Sequence, residues 1–158
     1  MKTIDGVKMP RRSTKLSAGY DFFSPGEFEL RPGEWTMIDT GVSLDDYDEV
    51  LRFDVESEVH EDGVEIYEDD HEVGRWFMML VPRSGLSAKY GFRLRNTVGI
   101  IDMDYRDTIK AMVTVDEPYK LIKGERFMQG IIIPFGVFRC EIEPTEGRKG
   151  GHGSTGRF

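Results

Sequence analysis

The sequence predicts a mainly β domain, a jelly roll or closed sandwich, that contains one short helix. Apolar residues alternate with polar ones or form short blocks of strand length, and glycine and proline separate these blocks. Long segments with apolar residues at helical spacing are absent from the sequence. The 158 residues suffice for one domain with a core that needs no disulfides. We therefore expect a single all-β domain over residues 1–158.

Five predicted strands follow the apolar blocks in chain order. Each block combines β-branched, aromatic, leucine or methionine side chains with flanking turn residues. The blocks are Phe28–Leu30, Trp35–Ile38, Phe77–Val81, Ile109–Val115 and Ile131–Phe135. The one predicted helix runs from Ser84 to about Tyr90, with Ser84 as the candidate N-cap.

An acidic segment lies between the second and third of these strands. From Asp45 to Glu72 there are fourteen acids and one base, Arg52, which gives a net charge of −13. Apolar and charged residues alternate on both sides of a turn at His60–Gly63, so we expect a half-buried hairpin with an acidic outer face. A solvated surface arm is the plainer interpretation. A docking surface for another protein and a metal-binding loop are the alternatives, although the acids do not follow EF-hand spacing.

The rest of the chain is mildly basic. The other 130 residues carry 20 bases and 15 acids, a net charge of +5, against −8 for the whole chain. This distribution suits an anionic small molecule better than a nucleic-acid duplex, whose binding needs a clustered basic face. No apolar run approaches ~20 residues and no charged-then-apolar leader opens the chain. We expect no nucleic-acid or membrane partner and a cytoplasmic location, and the single Cys140 fits a strand residue better than a catalytic thiol.

The most informative stretch runs from Asn96 to Arg106. Apolar strand residues lead there directly into Asp102 and Asp104, and Tyr105 follows. Asp102 and Tyr105 lie on opposite faces of an extended strand unless the chain turns between them. The pattern therefore predicts a strand that ends in a tight corner and holds a carboxylate rigidly. By itself it is equally typical of an acidic hairpin tip.

Four other short elements accompany this corner. Ala18–Asp21 and Pro82–Ser87 precede it, and Arg126–Gln129 and Gly150–Gly156 follow it. In this order the five elements resemble the motifs of the homotrimeric dUTP nucleotidohydrolases (dUTPases). The insertion, at about residues 45–74, lies outside the resemblance and is compatible with a phage-type member.

The resemblance implies an enzyme that hydrolyses dUTP to dUMP and pyrophosphate with Mg²⁺. Its fold would be the β-clip form of the jelly roll. Such an enzyme limits uracil incorporation into DNA and supplies dUMP, and it works as a homotrimer with shared active sites. Asp102 matches the catalytic carboxylate, which orients a water and accepts a hydrogen bond from the deoxyribose 3′-hydroxyl. Tyr105 matches the ring that leaves no room for a 2′-hydroxyl. Asn96, Gly99 and Ile101 belong to the hairpin whose main chain recognises uracil, and a fixed backbone rejects cytosine by leaving buried groups unpaired.

The resemblance also implies which residues bind the phosphate chain, and these lie in the elements before and after the corner. The matching phosphate contacts are Arg83, Ser84, Gly85 and Gln129. The physical basis at Ser84 is a helix start, whose backbone N–H groups suit a phosphate when an arginine is near. Arg126 is expected to be more structural. Asp21 matches the aspartate that holds the hydration shell of the metal, so we expect it to contact Mg²⁺ through water.

The tail from about residue 147 to 158 is too rich in glycine to be ordered by its own packing. A disordered terminus is the plainer interpretation, but such N–H groups can also wrap a triphosphate. In dUTPases this arm crosses to a neighbouring subunit and closes over the nucleotide. The matching contacts are Arg148, His152, Gly153, Ser154 and Thr155. His152 stands where most members have a phenylalanine that stacks on uracil, and an imidazole offers less stacking area.

Two functions other than dUTP hydrolysis are compatible with parts of the sequence. A dCTP deaminase shares the fold and part of the aspartate motif, but it needs a glutamate ten residues after the matching aspartate, where this chain has Met112. A regulatory protein is the hypothesis from another class. In it the acidic insertion binds a protein partner and the nucleotide site acts as a switch.

Overall fold

The computed structural model describes residues 1–44, 75–138 and 140. These residues form twelve strands and one helix, which confirms the predicted mainly β class. In chain order they are β1 Lys2–Thr3, β2 Arg11–Arg12, β3 Gly19–Phe23, β4 Phe28–Leu30, β5 Thr36–Asp39, β6 Val42–Ser43, β7 Trp76–Pro82, α1 Ser84–Tyr90, β8 Arg93–Leu94, β9 Gly99–Asp102, β10 Lys110–Thr114, β11 Tyr119–Leu121 and β12 Arg126–Pro134.

Two sheets share one hydrophobic core. The larger sheet has five antiparallel strands in the order β2-β3-β12-β7-β9, and the smaller has three, β5-β10-β8. Two strand pairs, β1–β6 and β4–β11, accompany them. Buried side chains of both sheets form one continuous cluster, to which Phe22 and Met78 contribute from the larger sheet and Ile38 and Val113 from the smaller.

The central strand of the larger sheet, β12, contains Gly130 in its interior. A Cβ on Gly130 would lie 2.6 Å from the sulfur of Met78 and 2.9 Å from the ring of Phe22. The glycine therefore leaves room for two large core side chains. The sequence predicts a strand at the apolar block Ile131–Phe135; the observed strand begins five residues earlier, at Arg126, and ends at Pro134.

Helix α1 has the predicted bounds, Ser84–Tyr90. The N-cap position belongs to Arg83, in extended conformation, and not to Ser84, and no side chain caps the helix there. Ser84 is instead the first helical residue. The helix ends at Gly91, whose left-handed φ of +62° suits glycine. A side chain at Gly91 would also collide with the carboxylate of Asp116.

The predicted insertion (about 45–74) and C-terminal arm (about 147–158) lie outside the described residues, so both stay predictions, as does the single-domain assignment. Within the described ranges, no helix has the length and apolar character needed to cross a membrane.

Candidate active site

The predicted corner is present at the end of β9. Asp102 is the last residue of this strand and is exposed. The Tyr105 N–H donates to the Asp102 carbonyl oxygen at 2.9 Å, which closes a tight turn. The Tyr105 side chain is only 4% exposed, and its hydroxyl donates to the Thr108 carbonyl oxygen at 3.3 Å. We call Asp102–Tyr105 the Asp102 corner.

The chain enters β9 through a narrow turn. The Val98 N–H donates to the Asn96 carbonyl oxygen at 2.7 Å, and Thr97 between them has a φ of +68°. A positive φ is unusual for a β-branched residue, so this turn is strained. Gly99 follows, and a Cβ there would lie 3.0 Å from the Leu80 side chain, so the glycine avoids a tight contact.

Strand β9 lies at the edge of its sheet. Among the described strands its neighbour is β7 alone, with Gly99 opposite Leu80 and Asp102 opposite Phe77. An edge strand keeps one row of backbone N–H and C=O groups outside the ladder. Ile101 is 6% exposed and its side chain belongs to the core, so it can offer a ligand only main-chain groups.

Asp21, on β3, is the centre of a polar cluster. Asp21 is almost fully buried, with 1% of its surface exposed. Its Oδ1 accepts a hydrogen bond from Gln129 Nε2 at 3.0 Å and lies 3.3 Å from Arg83 Nε, while its Oδ2 accepts from Ser13 Oγ at 2.7 Å and from Arg126 Nη1 at 3.1 Å. Arg126 Nη1 also donates to Ser13 Oγ at 3.0 Å. We call these five residues the Asp21 cluster.

Strand register explains why Gln129 and Arg126 both reach Asp21. Gln129 is directly opposite Asp21, so the two side chains share one face of the sheet. Residues three apart on a regular strand lie on opposite faces. The pairing of β12 with β3 shifts between Arg126 and Met128, however, and this bulge brings Arg126 to the same face.

The cluster keeps Asp21 ionised. Burial is the largest influence on the pKa of Asp21 and by itself raises it. The hydrogen bonds from Ser13, Gln129 and Arg126 and the positive charge of Arg83 outweigh burial, so this pKa lies below its ordinary value. A carboxylate that stays charged holds its cationic and amide partners in place over the whole neutral range.

The start of α1 adjoins the Asp21 cluster through Arg83. The ion pair with Asp21 uses only Nε, which leaves the four N–H donors of Nη1 and Nη2 outside it. Ser84 and Gly85 are exposed, and no acidic residue lies in the first turn of α1. Gly85 lacks a positive φ, and a Cβ there would meet nothing within 4 Å. Neither the backbone nor the packing of the described chain therefore requires a glycine at this position.

The Asp102 corner and the Asp21 cluster lie far apart within one chain. Asp102 pairs with Phe77 near the start of β7, whereas Arg83 follows the end of β7 and continues its ladder through an N–H bond to the Phe127 carbonyl oxygen. Six residue steps of extended chain from Phe77 to Arg83 span about 20 Å. One chain therefore does not bring the two groups of side chains together.

Comparison with known families assigns the fold. A family model described as dUTPase matches residues 75–156, which is more than half of the chain. The chain belongs to the dUTPase family. Two curated relatives agree: the deoxyuridine 5′-triphosphate nucleotidohydrolase of Nautilia profundicola is 32% identical over 94% of this chain and 91% of its own length, and that of Lactococcus lactis is 32% identical over 96% and 89%.

Solved dUTPase structures are similar over most of the chain. The dUTPase of Streptococcus mutans matches with a TM-score of 0.60 and 26% identity, covering 87% of this chain and 96% of its own. A mutant dUTPase of Staphylococcus bacteriophage 80alpha, solved with dUpNHpp, matches with a TM-score of 0.64 and 22% identity, covering 94% and 96%. The dUTPase of phage phi11, described with a structural Mg(II) ion, matches with a TM-score of 0.61 and 20% identity, covering 93% and 95%. The two phage proteins support the fold alone.

Family membership does not by itself test the predicted site residues. The structure groups Asp21 with Arg83 and Gln129, and it places Asn96 just before, and Gly99 at the start of, the strand that ends at Asp102. The predicted contacts of the arm, Arg148, His152, Gly153, Ser154 and Thr155, lie outside the described residues. Sequence reasoning missed Ser13, because its contact with Asp21 follows from the pairing of β2 with β3 and no local motif marks it.

Proposed function

We propose that this protein hydrolyses dUTP to dUMP and pyrophosphate, which limits uracil incorporation into DNA and supplies dUMP. The observation that carries the proposal is the Asp102 corner, where a β-turn holds an exposed carboxylate beside a buried tyrosine. Phosphoanhydride hydrolysis needs a base that orients water in line with the leaving group. An exposed carboxylate at a rigid strand end meets that need.

Recognition of the nucleoside is assigned to the same corner and to the turn before β9. The ring of Tyr105 is fixed by burial and by the bond of its hydroxyl to Thr108, so the small part of it that is exposed would form a rigid contact for a deoxyribose. A fixed ring excludes a 2′-hydroxyl by contact and needs no hydrogen bond to do so. The turn at Asn96 and the edge of β9 that no described strand pairs with offer main-chain donors and acceptors to uracil. Cytosine would leave such groups unpaired.

The phosphate chain is assigned to the side chains around Arg83. Asp21 fixes Arg83 and Gln129, and each keeps donors outside its contact with Asp21. The exposed Ser84 and Gly85 complete this surface, and the bare Cα of Gly85 permits a phosphate to approach the backbone closely. The arm contacts predicted at Arg148, His152, Gly153, Ser154 and Thr155 belong to the same proposal.

A complete site needs two copies of the chain. Asp102 must lie within hydrogen-bond reach of a water that attacks the phosphate bound beside Arg83 and Ser84. Within one chain about 20 Å of β7 separates Asp102 from Arg83. The separation supports a site shared between subunits, and the resemblance to the family sets the proposed number at three.

Magnesium enters the proposal as an ion carried by the triphosphate. Mg²⁺ takes oxygen ligands and retains water. Among the described residues there is no cluster of three or more His, Cys, Asp or Glu side chains that could hold a metal. Both oxygens of Asp21 already have two polar contacts each. This arrangement does not fit the predicted contact of Asp21 with a metal-bound water, so no step of the reaction is assigned to the ion and that contact stays a prediction.

The competing functions receive less support. A dCTP deaminase needs an acid at position 112, and Met112 stands there on β10, opposite Met37. A regulatory protein that binds a partner through residues 45–74 stays a prediction, since that segment lies outside the described residues. The cytoplasmic location stays a prediction as well.

The decisive experiment measures pyrophosphate release from dUTP, dCTP, dTTP and UTP in parallel, in the presence of Mg²⁺. We expect dUTP to be strongly preferred. Asp102→Asn should lower turnover by about two to four powers of ten, the usual effect of removing a positioned base. Asp107→Asn, which changes another exposed carboxylate five residues further on, should leave turnover near wild type. Absence of release from dUTP would refute the function, and near-wild-type turnover of Asp102→Asn would refute the role of Asp102.

A further inference from the structure

Ser13 occupies an unusual place between two charged groups. Its hydroxyl donates to Oδ2 of Asp21 at 2.7 Å and accepts from Nη1 of Arg126 at 3.0 Å. The same guanidinium nitrogen also donates to Oδ2 at 3.1 Å. A serine or threonine hydroxyl can donate and accept at once, whereas an alanine can do neither. The three groups therefore form a closed triangle of polar contacts.

This triangle determines how the Asp21 carboxylate is turned. Because Ser13 and Arg126 hold Oδ2, the other oxygen, Oδ1, faces Arg83 and Gln129. Rotation of the carboxylate would break contacts on both sides together. The orientation of Arg83 and Gln129 thus depends on a serine that touches neither of them directly.

The segment that carries Ser13 is held by its own hydrogen bonds. Arg11 pairs with Asp21 in the sheet, and Ser13 begins the connection from β2 to β3. The connection is closed by Thr14 and Ser17, whose side-chain oxygens lie 2.8 Å apart and whose backbone groups bond across the turn. Ser13 is therefore presented to Asp21 by an ordered turn.

Gly19 supplies the space that the arrangement needs on the other side. A Cβ at Gly19 would lie 3.1 Å and 3.2 Å from the Cβ and Cδ atoms of Gln129. The missing side chain lets Gln129 lean across β3 toward Asp21. Ser13 and Gly19, from the two ends of one connection, thus both bear on the placement of Gln129.

We propose that Ser13 is a positioning residue that, through Asp21, holds Arg83 and Gln129 ready for the phosphate chain, an inference that rests on the proposed function. Ser13 itself makes no contact with the nucleotide. Asp21 acts in the same way, as the support of these side chains.

The test compares Ser13→Ala with Ser13→Thr and with Thr14→Ala. Loss of one hydroxyl from the triangle should weaken the binding of inorganic triphosphate, measured by calorimetry, and raise KM for dUTP by about three- to tenfold. The pKa of Asp21, followed by NMR of its carboxyl carbon, should rise because a hydrogen bond that favours the charged form is gone. Threonine retains the hydroxyl and should restore all three values. Thr14→Ala loosens the same turn without touching Asp21, so it serves as the control for a merely structural effect.

Three outcomes separate the possibilities. If Ser13→Ala binds triphosphate as wild type does, or behaves no differently from Thr14→Ala, the positioning role is overturned. If the wild-type protein fails to hydrolyse dUTP, the proposed function fails, and triphosphate binding with the Asp21 titration still decides the role of Ser13. If threonine does not rescue the alanine defect, the hydroxyl is not the group responsible and the inference is wrong.

Discussion

Two aspartates in this protein have opposite environments. Asp102 is exposed at the end of an edge strand, whereas Asp21 is 1% exposed and its oxygens make four polar contacts. A general base must reach water and accept its proton. Asp21 cannot do so while hydrogen bonds occupy its acceptor positions and hold its pKa below the ordinary value. This contrast supports the proposed division of roles, in which Asp102 is the base and Asp21 organises Arg83 and Gln129.

The role proposed for Tyr105 concerns the choice of sugar and not the choice of base. Replacing its ring with the smaller side chain of leucine opens space beside the sugar, so the ratio of kcat/KM for dUTP to that for UTP should fall by more than the ratio for dUTP to dCTP. Tyr105→Phe keeps the ring and loses the hydroxyl with its 3.3 Å bond to Thr108, so both ratios should stay near wild type. The loss of that bond should cost about 1 kcal/mol of stability. An unchanged dUTP to UTP ratio in Tyr105→Leu would place sugar selection elsewhere.

The sequence identifies residues whose chemistry is local and misses those defined by contact. Asp102 and Tyr105 follow a strand pattern directly, so their corner could be predicted. Ser13 is one of several serines and threonines in a polar stretch, and its two partners lie 8 and 113 residues away in sequence. Nothing in the spacing of residues 11–18 indicates which hydroxyl will face Asp21.

At the scale of the element, helix α1 offers a test of the role proposed for Gly85 in phosphate binding. Gly85 has open space around its Cα, and replacing a helical glycine by alanine usually stabilises a protein by about 0.5–1 kcal/mol. We expect Gly85→Ala to raise the free energy of unfolding and to weaken binding of a non-hydrolysable dUTP analogue, because the new methyl group would meet the phosphate. Ala88→Gly, at an exposed position of the same helix, should lower stability without changing nucleotide binding. Unchanged affinity in Gly85→Ala would remove Gly85 from the phosphate site.

The turn after β11 is stabilised by a tyrosine whose titration can be followed. The Tyr119 hydroxyl donates to Glu125, and its ring lies 4.3 Å from that of Tyr90. Burial, and next the hydrogen bond to Glu125 with its negative charge, raises the pKa of Tyr119 above its ordinary value.

This raised pKa predicts a loss of stability at alkaline pH. Above about pH 10 the unfolded chain releases the tyrosine proton while the folded chain keeps it, so the free energy of unfolding should fall by up to about 1.4 kcal/mol per pH unit. Tyr119→Phe has no proton to lose there. Urea unfolding of both proteins between pH 8 and 11 should therefore show the wild-type advantage shrinking as pH rises, and parallel curves would contradict the assignment.

The bulge in β12 shows why the alternation of residues along a strand predicts the fold but does not predict the Asp21 cluster. Alternation along the chain assigns Arg126 and Gln129 to opposite faces. One shift of register places both on the face of Asp21, and no residue type marks that shift. The bounds of α1, by contrast, could be predicted because its end coincides with a glycine that the turn requires.

At the scale of the whole molecule, strand β7 separates the two halves of the proposed site. It lies between the Asp102 corner at one end and Arg83 at the other, and it is paired with β12 over its whole length and with β9 from Phe77 to Leu80. A strand paired on both sides does not fold back on itself. The distance between the two halves is thus a fixed property of the sheet, and this supports the proposal that another copy of the chain supplies the second half of the site.

Mixing two inactive variants tests this arrangement directly. One variant is Asp102→Asn, and the other combines Arg83→Gln with Ser84→Ala. After subunit exchange at equal amounts, some sites contain the intact Asp102 of one copy and the intact Arg83 and Ser84 of another. In a cyclic assembly with random mixing, about one quarter of the sites are complete, so activity should rise toward one quarter of wild type. The same two proteins, assayed together before exchange, provide the control.

The result depends on geometry alone, since neither variant can contribute a whole site by itself. If both halves came from the same chain, every site in a mixed assembly would still carry a defect, and activity would stay at the level of the parent variants. Native mass spectrometry shows whether mixed assemblies form and how many chains they contain. Mixed assemblies without recovered activity would therefore disprove the shared site, and recovered activity in a dimer would disprove the trimer while leaving the shared site intact.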